Sequence, residues 1–243
     1  MNLLELDAIE KRFGGVVAVQ ALSFAVATGE IVGIMGANGA GKTTVFSLVA
    51  GNQRPSAGAI HFDGRRIDGL RPDAINRRGI ARTFQIVRPF SGMSVVENVA
   101  IGAMYGAGRE RSPSAATARA RAILDEVGLA DRAGDRAGAL TLAGRKRLEI
   151  ARALATAPRL LMLDEVLAGL TPVEVDEALA MLLALKRRHG LTLLVIEHVM
   201  RALMRLCERI IVLHHGEKIA EGAPDAVAAD RRVIDAYLGE PAP

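Results

Sequence analysis

Tryptophan is absent from this 243-residue chain and aromatics make up only 3% of it, so the ring platforms on which proteins stack single-stranded nucleic acid are scarce. The single cysteine, Cys207, excludes an internal disulfide and suits a reducing compartment. It reads as a buried, apolar-like residue on the helix leading to Ile210. Half of the residues are apolar, yet no unbroken apolar run approaches the roughly 18 to 20 residues that cross a bilayer. No charged stretch followed by an apolar one stands at Met1, so no secretory signal is expected. Zinc-ligand spacings, internal repeats and low-complexity tracts are also missing. The net charge is +4, but basic residues lie among acids. The clusters Arg77-Arg78, Lys186-Arg187-Arg188 and Arg231-Arg232 read as solvated helix faces, so no nucleic-acid partner is expected. The positive balance also suits an anionic nucleotide or a membrane surface.

What is present is concentrated first in Gly36-Ala37-Asn38-Gly39-Ala40-Gly41-Lys42-Thr43, which reads GxxxxGKT. An apolar run over 31–35 precedes it and a helical pattern starting at Thr44 follows, so the loop joins a buried strand to a helix N-terminus. In that context Gly36, Gly39 and Gly41 let backbone N–H groups close around phosphate oxygens, with Asn38 and Thr44 in the same cradle. The helix dipole adds partial positive charge and Lys42 a full one, while Thr43 is placed to ligate Mg²⁺. A nucleotide is therefore expected.

A second constellation lies in Leu160-Leu161-Met162-Leu163-Asp164-Glu165, an apolar strand ending in two carboxylates. At the C-terminal edge of a strand beside a phosphate loop, Asp164 suits Mg²⁺ and Glu165 suits orienting or deprotonating a water aimed at the γ-phosphate. Two adjacent acids there fit hydrolysis better than kinase chemistry.

Coarse patterning sets the organisation. Residues 3–9, 18–25 and 31–35 read as strands, and 59–62 with Asp63-Gly64 as part of an antiparallel hairpin. Residues 95–128 shift to Ala, Arg, Glu and Leu and read as mostly helical, broken by a loop at 106–113. Helix over 147–157, buried strand over 160–163, helix over 173–189 and buried strand over 191–196 then alternate, which implies a parallel sheet. A hairpin around Gly216 and a short helical tail finish the chain, with His214 and His215 read as hairpin residues and not as metal ligands.

In this order the motifs resemble those of the ATP-binding subunits of ABC transporters, and the resemblance runs over essentially the whole chain. It implies an α/β fold: a P-loop NTPase (RecA-like) core with a mainly parallel sheet, an antiparallel β flap and an inserted helical subdomain. Core and flap would take 1–90 and 150–225, the helical subdomain 91–149, and a helical tail 226–243. The resemblance makes Phe13 the aromatic that stacks on adenine, Gln85 the glutamine that senses Mg²⁺ and γ-phosphate, and His198 the switch histidine. Ala168-Gly169-Leu170-Thr171 matches the D-loop. Leu140-Thr141-Leu142-Ala143-Gly144 falls where the signature LSGGQ belongs and would cap the nucleotide of a second subunit. Here the chain departs from the family, with Leu142 and Ala143 at the two glycines and Gly144 at the glutamine; Val166 likewise stands where proline is usual.

Within the family, residues 81–85, 168–172, 196–200 and 233–239 most resemble the ATPases of branched-chain amino acid importers. That implies ATP and Mg²⁺ as cofactors, a second ABC ATPase (the same chain or another) and integral-membrane permease subunits as partners. It also implies an indirect link to a solute-binding protein and a place on the cytoplasmic face of the cell membrane. An exporter ATPase for lipid or lipopolysaccharide, a non-transport ABC ATPase and a purely structural binding module are the alternatives.

Overall fold

The computed structural model describes residues 1–84, 89–198 and 200–238. The chain divides into two compact units, Met1–Pro72 with Thr192–Pro243, and Asp73–Leu191.

The first unit opens with β1 (Asn2–Phe13), β2 (Val16–Ala27), β3 (Ile31–Met35), α1 (Lys42–Val49), β4 (Ala57–Phe62) and β5 (Arg65–Arg66). β1 and β2 are joined by the Gly14-Gly15 turn and pair antiparallel, with Leu4 opposite Val26 and Phe13 opposite Val16. β4 and β5 extend this into a four-stranded sheet ordered β2-β1-β4-β5. Asp63 and Gly64 turn β4 into β5, and their positive φ angles of 52° and 69° explain why this dipeptide occupies the turn. Leu4, Leu6, Ile9, Leu22, Val26 and Ile60 carry the buried face of the flap.

In the second unit, α2 (Pro72–Asn76) starts at the boundary and leads into β6 (Ile80–Arg82), followed by α3 (Val95–Tyr105), α4 (Pro113–Glu126), α5 (Leu142–Ala155), β7 (Leu160–Asp164) and α6 (Pro172–His189). β6 and β7 run parallel, Ile80 beside Leu160 and Arg82 beside Met162. The helices pack through small residues. Ala116 and Ala120 of α4 are fully buried, and a Cβ on Gly102 of α3 would stand 2.5 Å from the Arg152 carbonyl oxygen of α5. α6 is bounded at both ends: Thr171 and Glu174 form a capping box, Pro172 begins the helix, and Gly190 closes it with φ 62°.

The chain then returns to the first unit through β8 (Thr192–Ile196), α7 (Met200–Leu206), β9 (Arg209–His214), β10 (Glu217–Gly222), α8 (Pro224–Ala229) and α9 (Arg231–Leu238). β3 lies between β8 and β9 and parallel to both. Every residue of β3 and β8 is buried, which is why both read as continuous apolar runs without alternation. A Cβ on Gly33 would come within 2.9 Å of the Cys207 Sγ, so the thiol fills room that the glycine leaves.

Elements expected from patterning are present, with three differences. α5 begins at Leu142, ahead of the expected 147, because Thr141 caps it. β6 and α2 are too short to show a period. Cys207 lies one residue beyond the end of α7, not on it.

Candidate nucleotide site

In the first unit, the loop between β3 and α1 is shaped by glycines at two points. Gly36 has φ 156° and Gly41 φ 102°, and a Cβ on either would collide with main chain, 2.3 Å from the Leu213 oxygen or 2.5 Å from the Ala18 oxygen. Neighbouring backbone fixes the loop from behind: the Gly216 N–H donates to the Ala40 oxygen, and the Gln20 N–H donates to the Gly216 oxygen. His215, with φ 46°, and Gly216 form the β9–β10 turn that makes this support possible, in line with the reading of His214 and His215 as hairpin residues.

Lys42, only 6% exposed, folds back across the loop. Its Nζ donates to the Gly36 oxygen at 2.7 Å and the Ala37 oxygen at 3.0 Å. Ala37, Asn38 and Gly39 are exposed, as is Thr43, while Thr44 is half-buried. Gly41 precedes α1 and gives it no side-chain cap, and the first-turn N–H groups of a helix are the ones that suit an anion. Phe13, at the end of β1, is about half exposed, with the Lys11 ammonium 4.9 Å from its ring centroid. His198 is exposed two residues past β8.

The second unit carries the acids. Asp164 ends β7 and is 1% exposed. Its Oδ2 accepts from Arg82 at 2.7 Å, and its N–H donates to the Thr83 hydroxyl at 3.0 Å. The buried Oδ1 has no hydrogen-bond partner among the described residues. A carboxylate fixed through one oxygen and unsatisfied at the other has the chemistry of a ligand for a hard cation such as Mg²⁺, held directly or through water. Glu165 follows at 8% exposure with φ 51°.

The signature segment lies in the same unit. Leu140 is buried; Thr141 caps α5, its hydroxyl accepting from the Gly144 N–H at 3.2 Å. Leu142 is exposed on the first turn, Ala143 is half-buried and Gly144 is buried against Leu140. Arg145 bends back, its guanidinium donating to the Leu140 and Gly138 oxygens. Gln85 lies outside the described residues, as do Ile86, Val87 and Arg88.

Sequence reasoning did not find the pairing of Arg82 with Asp164 or the burial of Lys146 and Glu149 on α5. Their signal was weak, because each stands in a segment that also reads as an ordinary strand end or amphipathic helix. Cys207 is inert, since burial, with Glu208 and Glu197 adding to it, pushes its thiol up to about 12. Among the described residues no group of His, Cys, Asp and Glu of the kind that holds a metal by itself occurs, and no helix is long and apolar enough to cross a membrane.

Comparison with known proteins identifies the family. Residues 19–168 match the family described as ABC transporter, and residues 217–243 the one described as branched-chain amino acid ATP-binding cassette transporter. The chain is 39% identical over 250 aligned positions to the high-affinity branched-chain amino acid transport ATP-binding protein BraF of Pseudomonas aeruginosa, covering 98% of each chain. It is 38% identical, with the same coverage, to LivG of Escherichia coli, which carries the same description. The crystal structure of MJ1267 in its ADP conformation, an ATP-binding cassette of an ABC transporter, superposes with a TM-score of 0.88 at 31% identity, covering 99% of this chain and all of that one.

Proposed function

Because the chain belongs to the ABC transporter family of ATP-binding proteins, we propose that it is the ATP-hydrolysing subunit of an importer for branched-chain or related amino acids. The observation that carries the import reading is the match of residues 217–243 to the branched-chain description, separate from the segment that matches the general one.

The roles follow from the residues. Main-chain N–H groups of the loop from Gly36 to Thr43 and the uncapped start of α1 bind the phosphates, and Lys42 exchanges its two carbonyl acceptors for phosphate oxygens. Phe13 stacks on the adenine. Mg²⁺, when bound, neutralises charge developing on the phosphates, with Thr43, Asp164 and Gln85 to hold it. Glu165 orients the attacking water and takes its proton, and His198 contacts the γ-phosphate. Two ATPase subunits pair head to tail, so that Leu140 to Gly144 of one cap the nucleotide of the other. The hydroxyl of Thr141 and the N-terminus of α5 supply that cap.

Residues 91–149 act as the helical subdomain and 226–243 as a tail on the core of 1–90 and 150–225. A cavity of about 210 Å³ in the second unit, lined by Phe84, Phe90, Asn98, Gly102, Glu149 and Arg152, suits a docking segment of the permease. Its aromatic rim at Phe84 and Phe90 is exposed, as contact residues of this kind are before they find a partner. The subunit then works at the cytoplasmic face of the membrane, held there by the permease.

Purification of the tagged chain from its own membranes tests this. Multi-span permease subunits should come with it, together with a solute-binding protein that takes leucine, isoleucine or valine. A complex that contains permeases and bound lipid but no route to a solute-binding protein would overturn import.

A further inference from the structure

α5 carries, beyond the cap at its start, two charged side chains that turn into the second unit. Lys146 and Glu149 are 5% and 6% exposed and stand three residues apart, on one face of the helix. An ammonium is costly to bury, and an apolar side chain would fill the same space at less expense. The charge of Lys146 acts on Glu149, and its Nζ donates at 2.6 Å to the carbonyl oxygen of Glu165. Glu165 is also one of the few non-glycine residues with positive φ, at 51°. Residues with a Cβ keep that backbone state only where surrounding groups hold it, and such states gather at sites of chemistry. Next to this bond, Glu149 Oε1 accepts from the Phe84 N–H at 2.6 Å, and Phe84 immediately precedes Gln85. One face of α5 thus holds the main chain of the acid read as the catalytic base and the residue before the glutamine read as the sensor.

We propose that Lys146 is a positioning residue for hydrolysis in its own subunit. It holds the Glu165 main chain in the left-handed state that directs the carboxylate to the attacking water. Since the N-terminus of the same helix caps the nucleotide of the partner, α5 links the seating of one ATP to the geometry of the acid that cleaves the other. This rests on the ATPase function proposed above.

The test uses the assembled complex and three variants. Lys146→Met keeps the length of the side chain and removes its charge and donors; Lys146→Arg restores both. With sites counted by titration with a fluorescent ATP analogue, the Met variant should lose about 10- to 100-fold in kcat per occupied site, the usual scale for misplacing a reacting group. Its KM for ATP should not change, and the Arg variant should recover most of the rate. Should Met prevent folding, Lys146→Leu, which also lacks charge and donors, must show the same fall in kcat. Equal turnover in the Met or Leu variant, a change confined to KM, or a loss that Arg does not restore would each overturn the proposal while leaving the ATPase function intact. A wild-type complex that hydrolyses no ATP would overturn both together.

Discussion

Buried charge is the thread among single residues. Lys42, Lys146, Glu149, Asp164 and Glu165 are all less than a tenth exposed, where an ionised group persists only with hydrogen bonds or an opposite charge around it. For Lys42 the acceptors include two carbonyls of its own loop, which phosphate oxygens can replace. Lys42→Ala should therefore weaken ATP affinity while leaving the fold intact, as read by nucleotide titration; unchanged affinity would contradict its assigned role. Glu149 makes a separate prediction. Burial raises its pKa, against the lowering effects of the Phe84 N–H, Lys146 and Arg152. Its folded value thus lies above the unfolded value of about 4.3, and the folded state holds the extra proton between the two. Stability from this group is full below the unfolded value and is lost as pH rises through the folded one. Thermal unfolding of the wild type and Glu149→Gln followed over pH should show their difference shifting in that direction; a constant difference would contradict the raised value.

Among elements, legibility followed length and period. The strand over 31–35 was plain as an unbroken run closed by Gly36, and the helix reaching residue 189 by its period between Pro172 and Gly190. β6, with three residues, shows no period, and its one charge, Arg82, reads as exposed until Asp164 is found beside it. The start of α5 was hidden for another reason: Thr141 stands in the segment matched to the signature, and its hydroxyl also caps the helix. The acids at the end of β7 were legible as a pair, but the side chains that fix them come from β6 and α5, distant in sequence. The capping box of α6 offers a test at this scale. Thr171→Ala should cost about 1 kcal/mol in stability, measured by denaturant unfolding, since Thr171 and Glu174 satisfy each other's backbone N–H groups. No loss would mean that other groups satisfy this helix end.

For the whole molecule, the phosphate loop with His198 lies in one compact unit and the acid pair with the signature in the other. The proposed hydrolysis calls on both sets, and the proposed head-to-tail pair adds the signature of a second subunit to each site. Glu165 is where the account is most exposed, because its carboxylate is assigned the proton that hydrolysis must move. The decisive measurement is steady-state ATP hydrolysis by the purified membrane complex carrying Glu165→Gln, with nucleotide binding measured on the same sample. The account predicts ATP binding like that of the wild type and turnover lower by roughly 10²- to 10⁴-fold, the scale for losing a positioned base. Turnover near that of the wild type would contradict it.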